Sequence, residues 1–477
     1  MGNWGNWDFV RFGQEIEPPE LIHLRKQIQC YYILFDFRVP QEYPPHIFHF
    51  NTAPNFNYCR NGMMTNHNFY NDSYNQQQFY NNNNFNNFQH KNYVPYNQMS
   101  FNQYQPNNNN IKNINNFQKE ETLEMSNHLR GLVNIANTCY MNSTIQCFAH
   151  IKELFSYFNK PKIIELMSAP ANKDKLSPVF SSLIIALWFP YDSSPLYPYI
   201  FKERLGKMNQ LFAGPIPNDA KDLLTFLLMQ LHDELNEPKN NNLNQNIIPT
   251  IAMQSDKKQM LNYFVKYFKG NYRSVISNLF YGLNYTKTKC LSCGISLYNY
   301  QTFNFLIFPL FEVLNYKMKL VSFQTNFNNT VNLDDCFQYN QNCLPLTEYY
   351  CNACKQNTQG NYASFLSVLP NIIIIILNRG VGLQYKVKID FEENLDLKNY
   401  VENFKENSFY ELIGVVTHYG ESGASGHFMA RCKSPLDNFW YLYNDAIVEK
   451  IGYFTKEKFL QGNPYILFYK KTKFQNK

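Results

Sequence analysis

A cysteine stands where a short polar turn meets an amphipathic helical pattern. Cys139 follows the polar turn at residues 134–138, and apolar side chains then recur every three or four positions, at Met141, Ile145, Phe148, Ile151, Phe155 and Phe158. We therefore expect a helix over residues 140–160, with Cys139 at or just before its N-terminus. Unpaired N–H groups and the positive end of the helix dipole favour a thiolate there. Because the thiolate is the nucleophilic form of cysteine, Cys139 is a candidate catalytic nucleophile.

The alternative for Cys139 is a buried structural cysteine, which is the common situation of a free cysteine. Its flanking residues argue against this alternative, because a cysteine in an apolar core rarely has so many hydrogen-bonding neighbours. These polar neighbours are Asn134, Asn137, Thr138 and Asn142. The flank therefore favours a site of chemistry over a packing role.

A cysteine nucleophile needs a base, and the base needs a group that orients its ring. Of the ten histidines, His427 has the most suggestive setting, directly after a glycine-rich segment that would let a substrate approach the backbone closely. Strands are expected on both sides of that segment and at residues 439–445. The last of these strands ends in Asn444 and Asp445, two groups able to orient an imidazole. His418, before the glycines, is the competing base, and a structural role for it is equally open.

These segments, in the order cysteine, histidine and Asn/Asp, resemble the ubiquitin-specific proteases, a family of deubiquitinases. Residues 131–143, Gly-Leu-Val-Asn-Ile-Ala-Asn-Thr-Cys-Tyr-Met-Asn-Ser, match the cysteine box of that family, with Ala136 in place of a glycine. Residues 418–428 and 440–445 match its histidine box. Several boxes in the right order make a chance similarity implausible.

The agreement is looser over residues 217–235, which resemble a helix of the same family. The family has Gln, Gln, Glu and Phe where this chain has Pro217, Asn218, Asp222 and Leu223. As a whole, the resemblance covers about residues 128–471.

The order of predicted elements indicates an α+β fold. Helical patterns occupy residues 140–160, 176–188 and 219–236, and mostly strands are expected from about residue 275 onward. The resemblance implies a papain-like cysteine protease with thumb, palm and zinc-ribbon fingers subdomains, the fingers over about residues 270–365. It places catalysis in the cleft between the helical thumb and the palm sheet.

The resemblance also implies a role for each residue of the site. Cys139 is the nucleophile and His427 is the general base. Asn444 fixes the tautomer of the imidazole. Asp445 is expected to act on the site indirectly, from the side of the oxyanion. Asn134 and the backbone N–H of the nucleophile stabilise the oxyanion. The implied reaction is thiol-dependent hydrolysis of an isopeptide or peptide bond after the C-terminal glycine of ubiquitin, and its chemistry needs no cofactor.

Three more residues are candidates for binding the extended C-terminal tail of ubiquitin. Asp219 is expected as the N-cap of a helix, and Asp222 as its partner at the third helical position. In the family, residues at these two positions also hold the tail, and acidic side chains suit the arginines that the tail carries. Gly426 precedes the candidate base in the glycine-rich segment and is the third candidate.

Two Cys-x-x-Cys pairs predict a metal site. Cys290 and Cys293 form one pair, Cys351 and Cys354 form the other, and 57 residues separate the pairs. Four thiolates give the tetrahedral coordination of a structural zinc ion, with no open position. The arrangement is similar to the zinc ribbon in the fingers of the family. The alternative is a set of reduced, metal-free cysteines, and Cys343 has no partner at this spacing.

Composition separates the first part of the chain from the rest. Residues 51–120 hold 24 asparagines in 70 positions, interleaved with Tyr, Phe and Gln. Such a tract cannot bury enough apolar surface to offset its chain entropy. We expect a largely disordered N-terminal extension over residues 1–127, which either self-associates through its aromatic residues or is a spacer. Residues 128–471 are expected to form the catalytic domain.

Charge and targeting patterns limit the class of partner. The net charge of +6 is small for 477 residues and Lys and Arg form no long cluster, which argues against a nucleic-acid partner. No signal peptide or membrane span is recognisable, so no membrane partner is expected. The eleven cysteines do not read as a secreted disulfide scaffold, and a reducing compartment, cytoplasmic and/or nuclear, is expected. Ubiquitin and ubiquitinated proteins are the expected partners of a monomeric catalytic domain.

Three alternative functions stay open at this level. The chain could be a ubiquitin-binding scaffold with little or no catalysis on the same fold. It could be a protease that acts on another ubiquitin-like protein. A zinc-ribbon interaction module with an Asn-rich assembly tail is the third, but it leaves the cysteine and histidine boxes unexplained.

Overall fold

The computed structural model describes residues 129–472 of the chain in seven segments. These are residues 129–188, 194–238, 250–320, 329–342, 344–401, 407–422 and 425–472. The expected extension over residues 1–127, its Asn-rich tract and Cys343 lie outside the described residues. Within those segments, helices come first and mostly strands follow, in two large sheets and a two-stranded sheet of β4 and β8, as expected for an α+β fold.

The helical half is built around one fully buried helix, α1 (Cys139–Ala149). Five helices follow it along the chain: α2 (Lys152–Phe158), α3 (Pro161–Ser168), α4 (Leu176–Ala186), α5 (Tyr199–Met208) and α6 (Ala220–Leu235). Phe148 of α1 meets Phe180 of α4 and Phe468 of the larger sheet edge-on, each with ring centroids 5.9 Å apart. The helix that carries Cys139 is therefore wedged between the other helices and the sheet.

The expected single helix over residues 140–160 is wrong, because α1 and α2 are separated at His150 and Ile151. The Nδ1 of His150 lies 2.7 Å from the Gln146 carbonyl oxygen, and its Nε2 lies 2.8 Å from the Tyr443 hydroxyl of the sheet. These bonds hold the ring against the helix end and the sheet, and Ile151 turns to an extended conformation. The apolar stripe that predicted the helix is nevertheless buried throughout.

The remaining elements are strands interrupted by short helices. The helices are α7 (Ile251–Ser255), α8 (Lys257–Asn271), α9 (Val275–Phe280), α10 (Leu310–Leu320), α11 (Leu333–Gln341) and α12 (Lys456–Phe459). The strands are β1 (Gly282–Cys290), β2 (Ser296–Phe303), β3 (Leu306–Pro309), β4 (Thr330–Asn332), β5 (Leu344–Cys351), β6 (Gln356–Val368), β7 (Ile372–Asn378), β8 (Lys388–Asp390), β9 (Asn394–Asp396), β10 (Phe409–Ser422), β11 (Ser425–Lys433), β12 (Trp440–Asn444), β13 (Ile447–Gly452) and β14 (Asn463–Lys471).

The larger sheet has eight strands in the order β13-β12-β11-β10-β14-β7-β3, with β9 beside β10. Its pairs are antiparallel except for β3 and β7, which are parallel. The β-branched run of β7 is buried, because the core packs on both faces of the sheet. α1 packs on one face, against β10, β11 and β12. That contact brings the nucleophile helix to the strands that carry the histidine box.

The smaller sheet has four strands in the order β2-β1-β6-β5. Tyr285 and Tyr300 of this sheet are buried with Met260 of α8, in a small aromatic core of their own. β1 ends at Cys290 and β5 ends at Cys351, so the sheet carries both Cys-x-x-Cys pairs to one end.

The later part of the chain, where the sequence indicates mostly strands, also contains α9 to α12. The longest of these are α10 and α11, which lie between β3 and β5 in chain order and bury Val313 and Phe337. Asn332 and Asp335 cap α11 reciprocally, each accepting the backbone N–H of the other. In the segments described, no helix is both long and apolar enough to cross a bilayer.

Candidate active site

Cys139 is the first residue of α1, as predicted, and it is 8 % exposed. The turn before it contains two left-handed residues, Ala136 with φ of 100° and Asn137 with φ of 54°. The side-chain amide of Asn137 donates to the Pro215 carbonyl at 2.9 Å, which ties the turn to the loop before α6. The positive φ of Ala136 explains why glycine suits this position in the cysteine box.

His427 lies on β11 and contacts both of its predicted partners. Its Nε2 lies 2.7 Å from Asn444 Oδ1, and its ring interacts with the side chain of Cys139. The bond with Cys139 raises the pKa of His427 to about 9, helped by Asn444 and the Asp445 carboxylate and opposed by partial burial. The ring therefore stays an imidazolium through neutral pH.

His418, the competing base, has a structural role. It is 3 % exposed, and its Nδ1 lies 2.5 Å from the Tyr385 hydroxyl. Burial lowers its pKa, so the ring is neutral at pH 7. Gly426 packs against it, because a Cβ at Gly426 would lie only 2.5 Å from two ring atoms of His418. The glycine beside His427 is thus explained by close packing and by its φ of 153°.

The strand β12 ends at Asn444, and Asp445 adopts φ of 50° in the turn that follows. The alternation of side chains along a strand therefore does not apply to this pair. Asp445 Oδ2 lies 3.7 Å from His427 Nε2, whereas Asn444 Oδ1 lies 2.7 Å from it. Both side chains face the imidazole, and Asn444 is the one in hydrogen-bond contact.

The Asp445 carboxylate also joins the sheet to the cysteine box. Its Oδ2 accepts from Asn134 Nδ2 at 2.9 Å, and its Oδ1 accepts from Asn142 Nδ2 at 2.8 Å. Asn134 Oδ1 in turn accepts the backbone N–H of Thr138 at 2.9 Å. The predicted oxyanion donor is thus held from two sides. Asn142 was missed as a site residue, and its place in the polar flank of the cysteine was the only signal for it.

Asp219 and Asp222 lie at the start of α6, Asp219 just before the helix and Asp222 in its first turn. Asp219 is the N-cap as predicted, since its Oδ1 accepts the N–H of Lys221 at 2.9 Å, and its Oδ2 accepts from the Tyr465 hydroxyl at 2.6 Å. The expected reciprocal bond from Asp222 is wrong, because within the described contacts no capping box forms here. Lys221 ion-pairs with both carboxylates instead, and Asp222, 3.8 Å away, stays half-exposed. Burial nevertheless raises the pKa of Asp222.

Four cysteine sulfurs converge at the end of the smaller sheet. The Sγ atoms of Cys290, Cys293, Cys351 and Cys354 all lie within 4.8 Å of one another. Cys290 and Cys354 are 3.8 Å apart, and Cys293 and Cys351 are 3.9 Å apart. Zinc–sulfur bonds of about 2.3 Å in a tetrahedron place the sulfurs about 3.8 Å from each other. The predicted cluster is confirmed as a set of residues that could hold a metal ion.

The two Cys-x-x-Cys turns share one backbone geometry. The residue after each pair is left-handed, Gly294 with φ of 74° and Lys355 with φ of 54°. In each pair the N–H of the second cysteine points at the first sulfur from 3.5 Å. The Thr358 hydroxyl, together with that N–H, lowers the pKa of Cys290 to about 5. Donors aimed at sulfur stabilise the thiolate form that a metal needs.

A family model, ubiquitin carboxyl-terminal hydrolase, matches residues 130–469, most of the chain. This chain belongs to the ubiquitin carboxyl-terminal hydrolase family. The match runs from the turn before Cys139 to the last strand of the larger sheet, so it includes every residue of the candidate site. The resemblance of the cysteine and histidine boxes is thereby confirmed at the level of the family.

Curated members of the family are similar over most of this chain. Ubiquitin carboxyl-terminal hydrolase Usp2 of Drosophila melanogaster is 26 % identical over 358 residues, which are 73 % of this chain and 35 % of that protein. Ubiquitin carboxyl-terminal hydrolase 2 of Bos taurus is 25 % identical over 352 residues, with 72 % and 55 % covered. This chain thus spans between about a third and just over half of the length of these relatives.

Solved structures of the family share the fold. The SAGA DUB module containing Ubp8, bound to monoubiquitin, aligns with a TM-score of 0.55 at 21 % identity, over 74 % of this chain and 72 % of that chain. The same module bound to ubiquitin aldehyde aligns with a TM-score of 0.53 at 22 % identity and equal coverage. In the terms of this family, α1 to α6 form the thumb, the eight-stranded sheet the palm and the four-stranded sheet the fingers. The papain-like α+β architecture predicted from the sequence is confirmed.

Proposed function

We propose that this chain is a deubiquitinase, which hydrolyses the isopeptide or peptide bond after the C-terminal glycine of ubiquitin. The observation that carries this proposal is Cys139 at the N-terminus of α1, beside a histidine that Asn444 orients and whose pKa the side chain of Cys139 helps to raise to about 9. The relatives named as ubiquitin carboxyl-terminal hydrolases, and a similar structure bound to ubiquitin aldehyde, support ubiquitin as the substrate. A non-catalytic scaffold would not need this paired thiol and imidazole.

The chemistry begins with the thiolate of Cys139. Its electron pair forms a bond to the carbonyl carbon of the terminal glycine, and the carbonyl oxygen becomes an oxyanion. When the C–N bond breaks, the leaving amine takes a proton from the imidazolium of His427, and a thioester remains. Water then adds to the thioester while neutral His427 removes its proton. The C–S bond breaks, and thiolate and imidazolium are both restored.

The neighbouring amides set the geometry of these steps. Asn444 Oδ1 accepts from the Nε2 of His427, so that nitrogen carries its proton and Nδ1 is left for the sulfur. Asn134 uses one side-chain N–H on Asp445 and would donate the other to the oxyanion, together with the backbone N–H of Cys139. Asp445 fixes Asn134 and adds negative charge beside the imidazolium.

We assign binding of the ubiquitin tail to the start of α6 and to the glycine segment. Asp219 and Asp222 supply two carboxylates near one another, and Asp222 is exposed enough to pair with an arginine of the tail. Gly426 lies directly before His427, and we assign its backbone to the channel for the small residues that precede the scissile bond.

We propose Zn²⁺ as the ion of the cysteine cluster, in a structural role. Four sulfur ligands at tetrahedral spacing suit zinc and leave no position for a substrate. The cluster joins the end of β1 to the end of β5, so a bound ion would cross-link the tip of the fingers. No step of the proposed hydrolysis uses it.

We also propose a cytoplasmic or nuclear location. The eight cysteines in the described segments are all free thiols, including a nucleophile that oxidation would inactivate. Reducing compartments keep such thiols intact.

Turnover of ubiquitin carrying a fluorogenic C-terminal amide tests the proposed function. The wild-type chain should release the fluorophore, and Cys139→Ala should abolish release while it binds ubiquitin with an unchanged Kd. Cys147→Ala is the matched control, since Cys147 lies on the same helix, buried and away from His427. Binding without turnover by the wild-type chain would establish the scaffold instead, and turnover by Cys139→Ala would exclude Cys139 as the nucleophile.

A further inference from the structure

One buried amide, that of Asn142, contacts the site without belonging to the proposed chemistry. Asn142 lies one turn after Cys139 on α1 and is 2 % exposed. Its Nδ2 lies 2.8 Å from Asp445 Oδ1, 3.1 Å from the Leu132 carbonyl oxygen and 3.3 Å from the Val133 carbonyl oxygen. A single NH₂ group is thus directed at three acceptors from two separate segments.

This amide acts as a donor only. Its Oδ1 is buried and has no hydrogen-bond partner in the described part of the chain. Leaving a buried acceptor unsatisfied is unfavourable by about 1–3 kcal/mol. Asn142 therefore tolerates an unpaired oxygen while its nitrogen serves the carboxylate and the two carbonyls. A carboxylate of the same shape could not replace it, because it would have no N–H to donate.

The backbone around the two residues is closely packed. The N–H of Leu132 donates to the Asp445 carbonyl oxygen at 2.9 Å. A Cβ at Gly131 would lie 2.3 Å from the carbonyl oxygen of Ala446, so only glycine fits there. The turn that carries Asp445 is thus docked on the segment before Cys139, and Asn142 bridges the two.

We propose that Asn142 is a positioning residue, which holds the Asp445 carboxylate in a fixed place relative to Cys139. Through that carboxylate it holds the amide of Asn134 and the charge that faces His427. This inference rests on the proposed function, because it assigns Asn142 a part in the same reaction.

The physical basis is the number of bonds on the Asp445 carboxylate. Its two oxygens each take one side-chain amide, Asn142 on Oδ1 and Asn134 on Oδ2. Without Asn142, only Asn134 among these two amides still holds the carboxylate, so the acceptor of Asn134 is less firmly fixed. The groups displaced are those that contact reacting atoms rather than the body of ubiquitin. kcat should therefore fall by between about tenfold and a hundredfold, with KM nearly unchanged.

A double-mutant cycle tests the inference. Asn142→Ala, Asp445→Ala and the double variant are compared by kcat and KM on the fluorogenic ubiquitin substrate. Because Asn142 acts through Asp445, the double variant should match Asp445→Ala within about twofold. Effects that multiply would overturn the inference, since Asn142 would then act by another route.

The isosteric variant Asn142→Asp sharpens the test. It keeps the volume of the side chain but removes both donors and sets a second carboxylate against Asp445. Asn142→Asp should lower kcat in the wild-type background but cause little further loss of kcat in the Asp445→Ala background. A variant that folds only in that background supports the coupling as well. A variant that is unfolded or equally damaged in both backgrounds overturns it.

Asn172→Ala is the matched control for the loss of a buried amide. Asn172 donates to the Leu166 carbonyl at 2.8 Å, in the thumb and away from the site. This variant should lower Tm but leave kcat within about twofold of wild type. If Asn142→Ala behaves in the same way, Asn142 serves only the fold. An inactive wild-type chain would instead refute the proposed function, which is a separate outcome.

Discussion

At the scale of the residue, the site joins a local sequence pattern to contacts between distant positions. Cys139 and His427 were predictable, because the signals for them are local. The polar flank lies within a few residues of Cys139, and the glycines lie within a few residues of His427. The bond between Asn142 and Asp445 spans 303 positions, and no local pattern indicates it. The left-handed backbone at Asp445, which brings its side chain to the imidazole beside that of Asn444, is likewise not indicated by any local pattern.

The contact between Asn444 and His427 predicts both a rate effect and a pH effect. Asn444→Ala should lower kcat with little change in KM, and Asn444→Asp should keep activity. The leaving amine needs the imidazolium, whose pKa is about 9, so kcat/KM should fall as pH rises through about 9. Since the Asn444 bond helps to raise this pKa, Asn444→Ala should move the alkaline fall to lower pH. A nearly silent Asn444→Ala beside a damaging Asp445→Ala would make Asp445 the orienting residue.

Ala136 bears a backbone conformation that suits glycine. Its φ of 100° strains an alanine by roughly 1 kcal/mol, and this turn aims Asn134. Ala136→Gly should therefore be neutral or mildly activating in kcat, with Tm unchanged or raised. A large loss of activity would show that the turn depends on the alanine side chain.

At the scale of the element, regular apolar periods in the sequence predicted helices correctly. Features that depend on contacts between distant residues were not predictable. α4 and α6 lie where their patterns placed them. The break between α1 and α2 was missed, because it depends on the bond from His150 to Tyr443 in the palm. α11 was not predicted, because the surrounding sequence indicates strands. Asn332 and Asp335 nevertheless have the spacing of a capping box.

The cysteine cluster belongs to this scale, since it fixes the ends of β1 and β5. Metal analysis should find about one zinc per chain. Cys351→Ser should lower Tm more than it lowers the turnover of the protein that stays folded, because the ion cross-links the fingers and takes no part in the chemistry. Metal-free protein of equal stability and activity would show that the four cysteines no longer bind a structural ion.

At the scale of the whole molecule, the order of helical and strand patterns was sufficient to predict an α+β fold. The strand order of the palm was not readable from sequence, because neighbours such as β7 and β14 are far apart in the chain and pair through contacts that no local period encodes. The same holds for the meeting of α1 with β11, which assembles the site.

The proposed activity should not depend on residues 1–125. A chain that begins at Ser126 should hydrolyse the fluorogenic substrate with a kcat similar to that of the full chain, because an Asn-rich tract supplies no core. Loss of folding, or a fall of more than about tenfold, roughly 1.4 kcal/mol on the barrier, would make residues 1–125 part of the working domain.

The most direct test of the central claim is mass-spectrometric mapping of the adduct formed with ubiquitin that carries a C-terminal electrophile. Probes made from other ubiquitin-like proteins are run beside it, with Cys139→Ala as the blank. We expect one ubiquitin adduct per chain, located at Cys139 and absent from the blank. An adduct at Cys147, Cys290 or Cys351, or labelling by another ubiquitin-like probe in preference to ubiquitin, would contradict the account.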